Sequence, residues 1–170
     1  MIKDDSRSSF VQGFGRVRTI RFDDYRKAFR GCGLANVRTF LEQAEAFKAW
    51  NDGSPMTKDQ ENNADFVLNV AEIFAAIVYG QLVFEKASIE GVEDMVIDQL
   101  FSYLVRDINA YVMRQLNEYA GHFRTGQREG LTGIIREPHI DFAREEAILQ
   151  DYVLALDGVY RSKGGVVINE

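Results

Sequence analysis

Cysteine, proline and histidine are nearly absent from this 170-residue chain, with one, two and two of them respectively. A single cysteine, Cys32, excludes an internal disulfide and makes a reducing, cytoplasmic compartment the default. Cys32 has no histidine or acid close in sequence to activate it, so it is read as structural. Two prolines, Pro55 and Pro138, leave long stretches free to be helical, because proline breaks the helix hydrogen-bond ladder. With only His122 and His139, a metal centre is short of ligands. Glu118 and His122 are spaced to share one helical face, but the pair is not repeated on a second helix as a di-iron bundle requires. There is no GxGxxG and no GxxxxGK[ST], and Gly13-Phe14-Gly15 is too short for a phosphate loop. No Ser/His/Asp set stands out. The opening MIKDDSRSSF lacks the apolar core of a secretory signal, and no run approaches the roughly 20 apolar residues that span a membrane. Neither a membrane nor a metal is therefore expected.

Acidic residues outnumber basic ones, for a net charge of -6, which argues against nucleic acid as a partner. The imbalance is uneven. Residues 1–40 carry nine Lys/Arg against four Asp/Glu, and the remainder carries eleven against twenty-two. A basic arm on an acidic body is suited to docking within a subunit or onto another, and equally to a solvated terminus. The expected organisation is an arm with a short helix over 1–33, a helical bundle over 34–160 and a flexible tail over 161–170. In the arm, Asp23 can cap a short helix through Phe29, and Phe10–Phe22 can lie extended.

What the chain has in abundance is helical periodicity. Leu34–Trp50 repeats apolar residues at three and four, and Asn51–Pro55 ends it with turn residues. Thr57 and Gln60 form a capping box. From Thr57 to Ser88 two adjacent apolar tracks run through Phe66, Val70, Ile73 and Ile77, and through Val67, Phe74, Val78 and Leu82. They predict one helix of about 32 residues, buried on more than one side. Gly80 inside it costs about 1 kcal/mol against alanine, so a close helix crossing is expected there. Glu90-Gly91 is a turn, Glu93 and Asp94 suit a helix start, and Val92–Leu116 is a second long helix antiparallel to the first. After a break at Gly121–Gln127, residues 128–136 form a short helix or turn. Pro138 then opens a last helix, 139–156, with Ile140, Ala143, Ala147, Leu149, Tyr152, Val153 and Leu156 facing a core, and Gly158 capping it. The fold class expected is all-α, an antiparallel up-down four-helix bundle with a short N-terminal arm.

Polar residues interrupt the central pair of helices. Tyr79, Gln81, Arg106 and Asp107 are candidates to line a site, set against the alternative that Arg106 and Asp107 make ordinary ion pairs. Phe74, Tyr79, Tyr103 and Tyr111 are candidates to line a ligand cavity, set against plain core packing.

Three blocks, VYGQLVFEKA at 78–87, DQLFSYLVRDINAYVMRQL at 98–116 and IIREPHIDFAREEAILQDYVLALDGVY at 134–160, resemble the C-terminal helical region of actinobacterial acyl-CoA dehydrogenases. In that family a helical domain, a β-domain and a C-terminal four-helix bundle surround FAD, which oxidises an acyl-CoA thioester with a glutamate as base. The resemblance implies the bundle alone; the family's Gln-containing GGxG and Glu-Gly-Thr segments do not occur, and no catalytic base is carried over. It implies a non-catalytic bundle of acyl-CoA or fatty-acid oxidation, either a homo-oligomer (a dimer) or a small subunit completing a larger acyl-CoA dehydrogenase. FAD would then be bound with a partner, and Arg106 would contact the cofactor phosphates. The alternative is a bundle that binds a small molecule or acyl chain between its helices.

Overall fold

A computed structural model describes residues 24–156 and residue 159. The described chain is helical, with no strand among the described residues, so the all-α expectation holds. It divides into two compact units, one ending at His139 and the other starting at Ile140.

In the first unit three long helices carry the core: α1 (Ala35–Gly53), α3 (Ala64–Glu90) and α4 (Asp94–Glu118). Two short ones, α2 (Lys58–Asn62) and α5 (Gln127–Thr132), lie between and after them. The predicted single helix from Thr57 is two. Asn63 adopts an extended conformation and its side chain accepts from the Phe66 amide at 3.0 Å. Asparagine competes with the backbone for its own hydrogen bonds and so favours a cap over a helix interior. The capping box one turn earlier is as expected, with Thr57 and Gln60 bonding each other's backbone reciprocally. Gly91 closes α3 at φ +68°, its amide on the Ala87 carbonyl. That left-handed cap is what allows a three-residue link into α4.

Pairing fixes the helix directions. Asn36 meets Asp98 and Gln43 meets the Val105 carbonyl, seven residues further along both helices. Helices α1 and α4 therefore run parallel. Asn69 meets Glu118 while Phe84 meets Phe101, so α3 runs antiparallel to α4. Between them lie Phe29, Phe40, Phe84 and Phe101, packed edge-on or tilted with centroids 4.9–6.0 Å apart. At the other end Phe66 packs on Tyr119 and Phe123. The close crossing expected at Gly80 is present: a Cβ there would lie 2.3 Å from Cζ of Phe40.

The return path from α5 is not helical. Residues 134–139 form a strap held by two asparagine carboxamides. Asn109 donates to the Arg136 carbonyl at 2.6 Å and accepts from its amide at 3.1 Å. Asn36 does the same to His139, at 3.0 and 2.7 Å. Each carboxamide satisfies one donor and one acceptor of a backbone that has no ladder of its own. Asp98 and Gln43 in turn orient the two asparagines, and Ile134 is fully buried at the strap's head. Pro138 cannot donate and biases Glu137 to an extended conformation, which suits this segment.

The described residues of the second unit form one helical stretch. Its α6 (Phe142–Ile148) is capped by Asp141, which accepts from the Arg144 amide at 3.1 Å, and it continues through a π turn and a 3-10 turn to Leu156. It starts three residues later than the sequence suggests. None of the expected core residues Ile140, Ala143, Ala147, Leu149, Tyr152, Val153 and Leu156 is buried; among the described residues of this unit there is one helical stretch and no second element for it to pack against. The expected cap at Gly158, the tail 161–170, the Asp23 cap and the extended arm at Phe10–Phe22 lie outside the described residues. A 3-10 turn, Tyr25–Lys27, stands where the arm's helix was expected, capped by Asp24.

Candidate functional site

The residues singled out by sequence do not converge on an enclosed cavity; four of the seven stand on the outer face of α3 and α4. Tyr79 and Tyr103 are 57% and 51% exposed, and Arg106 and Asp107 are exposed beside them. The Arg106 guanidinium lies 5.5 Å from the Tyr103 ring centroid, a cation–π contact worth about 0.5–1 kcal/mol at such a site. The ion pairs offered as the alternative for Arg106 and Asp107 are not present among the described residues. Tyr111 is half-buried against the core with Arg114 over its ring at 5.6 Å. Gln81 donates to Glu85 at 2.9 Å along its own helix. Phe74 packs against the core.

This outer face is apolar for a solvent boundary. Leu68, Leu82 and Ile89 of α3 are 61%, 57% and 86% exposed, and Leu100 of α4 is 37% exposed. The most apolar stretch of α3 has a mean hydropathy of 1.8, yet only 33% of it is buried. By length and composition α3 is long and apolar enough to cross a membrane, contrary to the sequence expectation. Single polar residues such as Asn69, Glu72 and Gln81 break up the run to the eye without lowering its average much. Between the helices lies an open groove of 340 Å³ lined by Tyr79, Val83, Ala87, Val96, Ile97 and Leu100. Lys86 and Glu90 pair at its rim. Across the other end of the face Glu72 pairs with Arg114.

Elsewhere the polar groups are spent on structure. Glu118 and His122 do not share a helical face, because α4 ends at Glu118; Glu118 accepts from Asn69, and the His122 carbonyl accepts from Gln60 at 2.7 Å. Among the described residues no group of three His, Cys, Asp or Glu gathers as metal ligands would. Arg26 grips Glu45 through two bonds of 2.5 and 2.6 Å, and this guanidinium holds the Glu45 carboxyl below the usual carboxylate range. Burial, and then the neighbouring Glu45 carboxylate, push the Tyr25 phenol well above its usual value. The arrangement is a clasp between the 3-10 turn and α1.

Sequence reasoning missed the buried amide network: Asn36, Gln43, Asp98 and Asn109 on the strap, and Gln60 with Gln127 where α2 meets α5. Each sits within an apolar period as an isolated polar residue. The partners that hold the strap and join α2 to α5 are 27 to 103 residues away, so no local pattern pairs them.

Comparison with known protein families, with curated proteins and with solved structures finds no match to this chain.

Proposed function

We propose that this chain is a helical assembly module, whose work is to present the outer face of α3 and α4 to another protein subunit. The observation that carries this reading is an apolar helix face, two helices wide, left uncovered in a unit that otherwise buries its large side chains. Exposed apolar area on this scale marks an interaction surface more often than idle solvent boundary. On this reading the up-down four-helix bundle expected within one chain is completed between chains, two helices from each side. The resemblance to acyl-CoA dehydrogenases adds the setting: a non-catalytic, cytoplasmic subunit of acyl-CoA oxidation. Arg106 stands on an open face with one ring beneath it and can meet a phosphate, but it offers no cradle for an isoalloxazine. A flavin would be held by the partner, and no step of a reaction is assigned to this chain.

Native mass spectrometry of the protein drawn from its own host, with a visible spectrum of the same sample, tests the reading. A yellow complex with a larger flavoprotein supports both the module and its setting. Unchanged assembly and partner activity after Arg106→Ala removes the role given to that arginine. A colourless homo-oligomer removes the flavin setting and keeps the module; a lone chain at cellular concentration overturns both.

One observation favours a second reading. The groove beside Tyr79 is apolar, and its volume falls within the range of small-molecule sites, roughly 300–1,000 Å³. An acyl chain fits that chemistry, and acyl species found by mass spectrometry in solvent extracts of the pure protein would support it.

A further inference from the structure

We propose that the partner on the α3–α4 face is a second copy of this chain, in a two-fold dimer; the proposal rests on the assembly reading and names its occupant.

Three observations point to a copy. The first is spacing. Leu68, Leu82 and Ile89 on α3 are exposed at spacings of fourteen and seven, with Tyr79 three residues before Leu82, and Leu100 and Tyr103 on α4 are exposed three residues apart. That is the seam of a helix packing against another at a shallow angle, on the side opposite its own core.

The second is area. The 27 residues of α3 rise about 40 Å at 1.5 Å each. Two helices side by side make a strip about 20 Å wide. The face is therefore about 800 Å² per partner, the amount that a standard stable interface buries on each side. A second identical face closes the area to the usual total, and two antiparallel pairs laid together make a four-helix bundle.

The third is charge. Two of the ion pairs of this face form within one copy, Glu72 with Arg114 and Lys86 with Glu90. The whole chain has net charge -6, so two copies repel over most of their surface. Where the charges are paired within each copy, that repulsion is reduced.

Sedimentation velocity of the full chain across a dilution series tests the dimer. The expected species has twice the 19.3 kDa chain mass. Leu82→Glu and Tyr103→Glu each place a charge in the seam, and both positions are more than half exposed, so the fold is kept and checked by helical circular dichroism. Each is expected to raise the dimer Kd about thirtyfold, the effect of losing one central contact. Arg38→Glu, exposed on α1, leaves the dimer unchanged. If one seam variant does not fold, the other decides. A wild-type chain of single mass at about 100 µM, well above the Kd of an interface of this size, overturns the proposal. So does a dimer that both seam variants leave intact, which would use another surface. Flotation of the wild type, but not of Leu82→Glu, with phosphatidylcholine vesicles overturns it in favour of a lipid. A chain that is monomeric when pure yet joined to a larger subunit in its host overturns the second copy and leaves the assembly reading standing; a monomer in both overturns the two together.

Discussion

Replacing Gly80 with alanine sets two well-measured effects against each other, and the structure decides the sign. Helix propensity favours the change by about 1 kcal/mol, because glycine in a helix interior gives up the most backbone freedom. Against it stands Phe40. A Cβ at position 80 would lie 2.3 Å from Cζ and 2.8 Å from Cε2 of that ring. Ordinary carbon contact is about 3.5–4.0 Å, so the ring must retreat by more than an ångström. It has nowhere to go: Phe40 is 0% exposed, 5.0 Å edge-on from Phe101 and 5.9 Å from Phe29. Overpacking a filled core costs about 1–3 kcal/mol, and a ring flanked on two sides belongs at the upper end. The net expectation is a loss of about 1–2 kcal/mol, or roughly 2–8 °C in Tm for a chain of this size. Urea and thermal unfolding followed by circular dichroism measure it. Phe40→Leu shortens the obstructing side chain, so Gly80→Ala should cost at least about 1 kcal/mol less in that background, a coupling that a double-mutant cycle isolates. A Gly80→Ala protein that melts higher than wild type would refute the reasoning, because propensity alone would then govern the site.

Asn36→Leu removes the carboxamide that holds His139 and leaves Asp98 buried without one of its donors. It should cost about 2–4 kcal/mol and release the His139 amide to rapid hydrogen exchange while the α3 amides stay protected. Glu45 is more acidic folded than unfolded, so its pair with Arg26 adds stability above the ordinary value of 4.5 and loses it as pH falls through the folded value. Both side chains are more than a third exposed, so the effect is below about 1 kcal/mol, and Glu45→Gln should flatten the acid limb of the stability curve by that much. Trp50 is the one tryptophan of the chain and is 5% exposed; its indole donates to the Gln127 carbonyl at 2.9 Å. Trp50→Phe should cost about 1–2 kcal/mol by orphaning that carbonyl and leaving space beside it, and thermal denaturation measures it.

Period and punctuation made most of the first unit legible. The capping box at Thr57, the turn at Gly91 and the crossing at Gly80 are local or single-residue signals, and each is found where the sequence places it. What was illegible is what depends on distant partners. The strap over 134–139 has no period of its own, and its holders Asn36 and Asn109 come from two other helices. Reading residues 128–136 as a helix or turn was right for its first half, where α5 ends at Thr132. Beyond that, the carboxamides supply by side chain the hydrogen bonds that helix or sheet would supply by backbone. The same limit explains Asn63. A period of apolar residues runs straight through it, and only its cap geometry reveals that the helix starts anew.

The candidate site shows a different limit. Apolar period says that a helix face is to be dry, and it does not say what dries it. The tracks along α3 are two residues wide, and from sequence this width reads as burial on more than one side of a single bundle. In the first unit one track, through Phe66, Val70, Ile73 and Ile77, meets α1 and α4 and is buried almost completely. Of the second track, Val67, Phe74 and Val78 are half-buried and Leu82 is exposed, and Leu68, Tyr79 and Ile89 beside it are exposed as well. A cavity would have required the aromatic residues Tyr79, Tyr103 and Tyr111 to point at one another, and helices in direct contact leave no room for that: their axes lie 8–10 Å apart, and the space between is taken by the core. Tyr79 and Tyr103 are instead turned outward. Width beyond what one core uses is, on the assembly reading proposed above, the trace of a second interface, and from sequence it reads as an excess of burial.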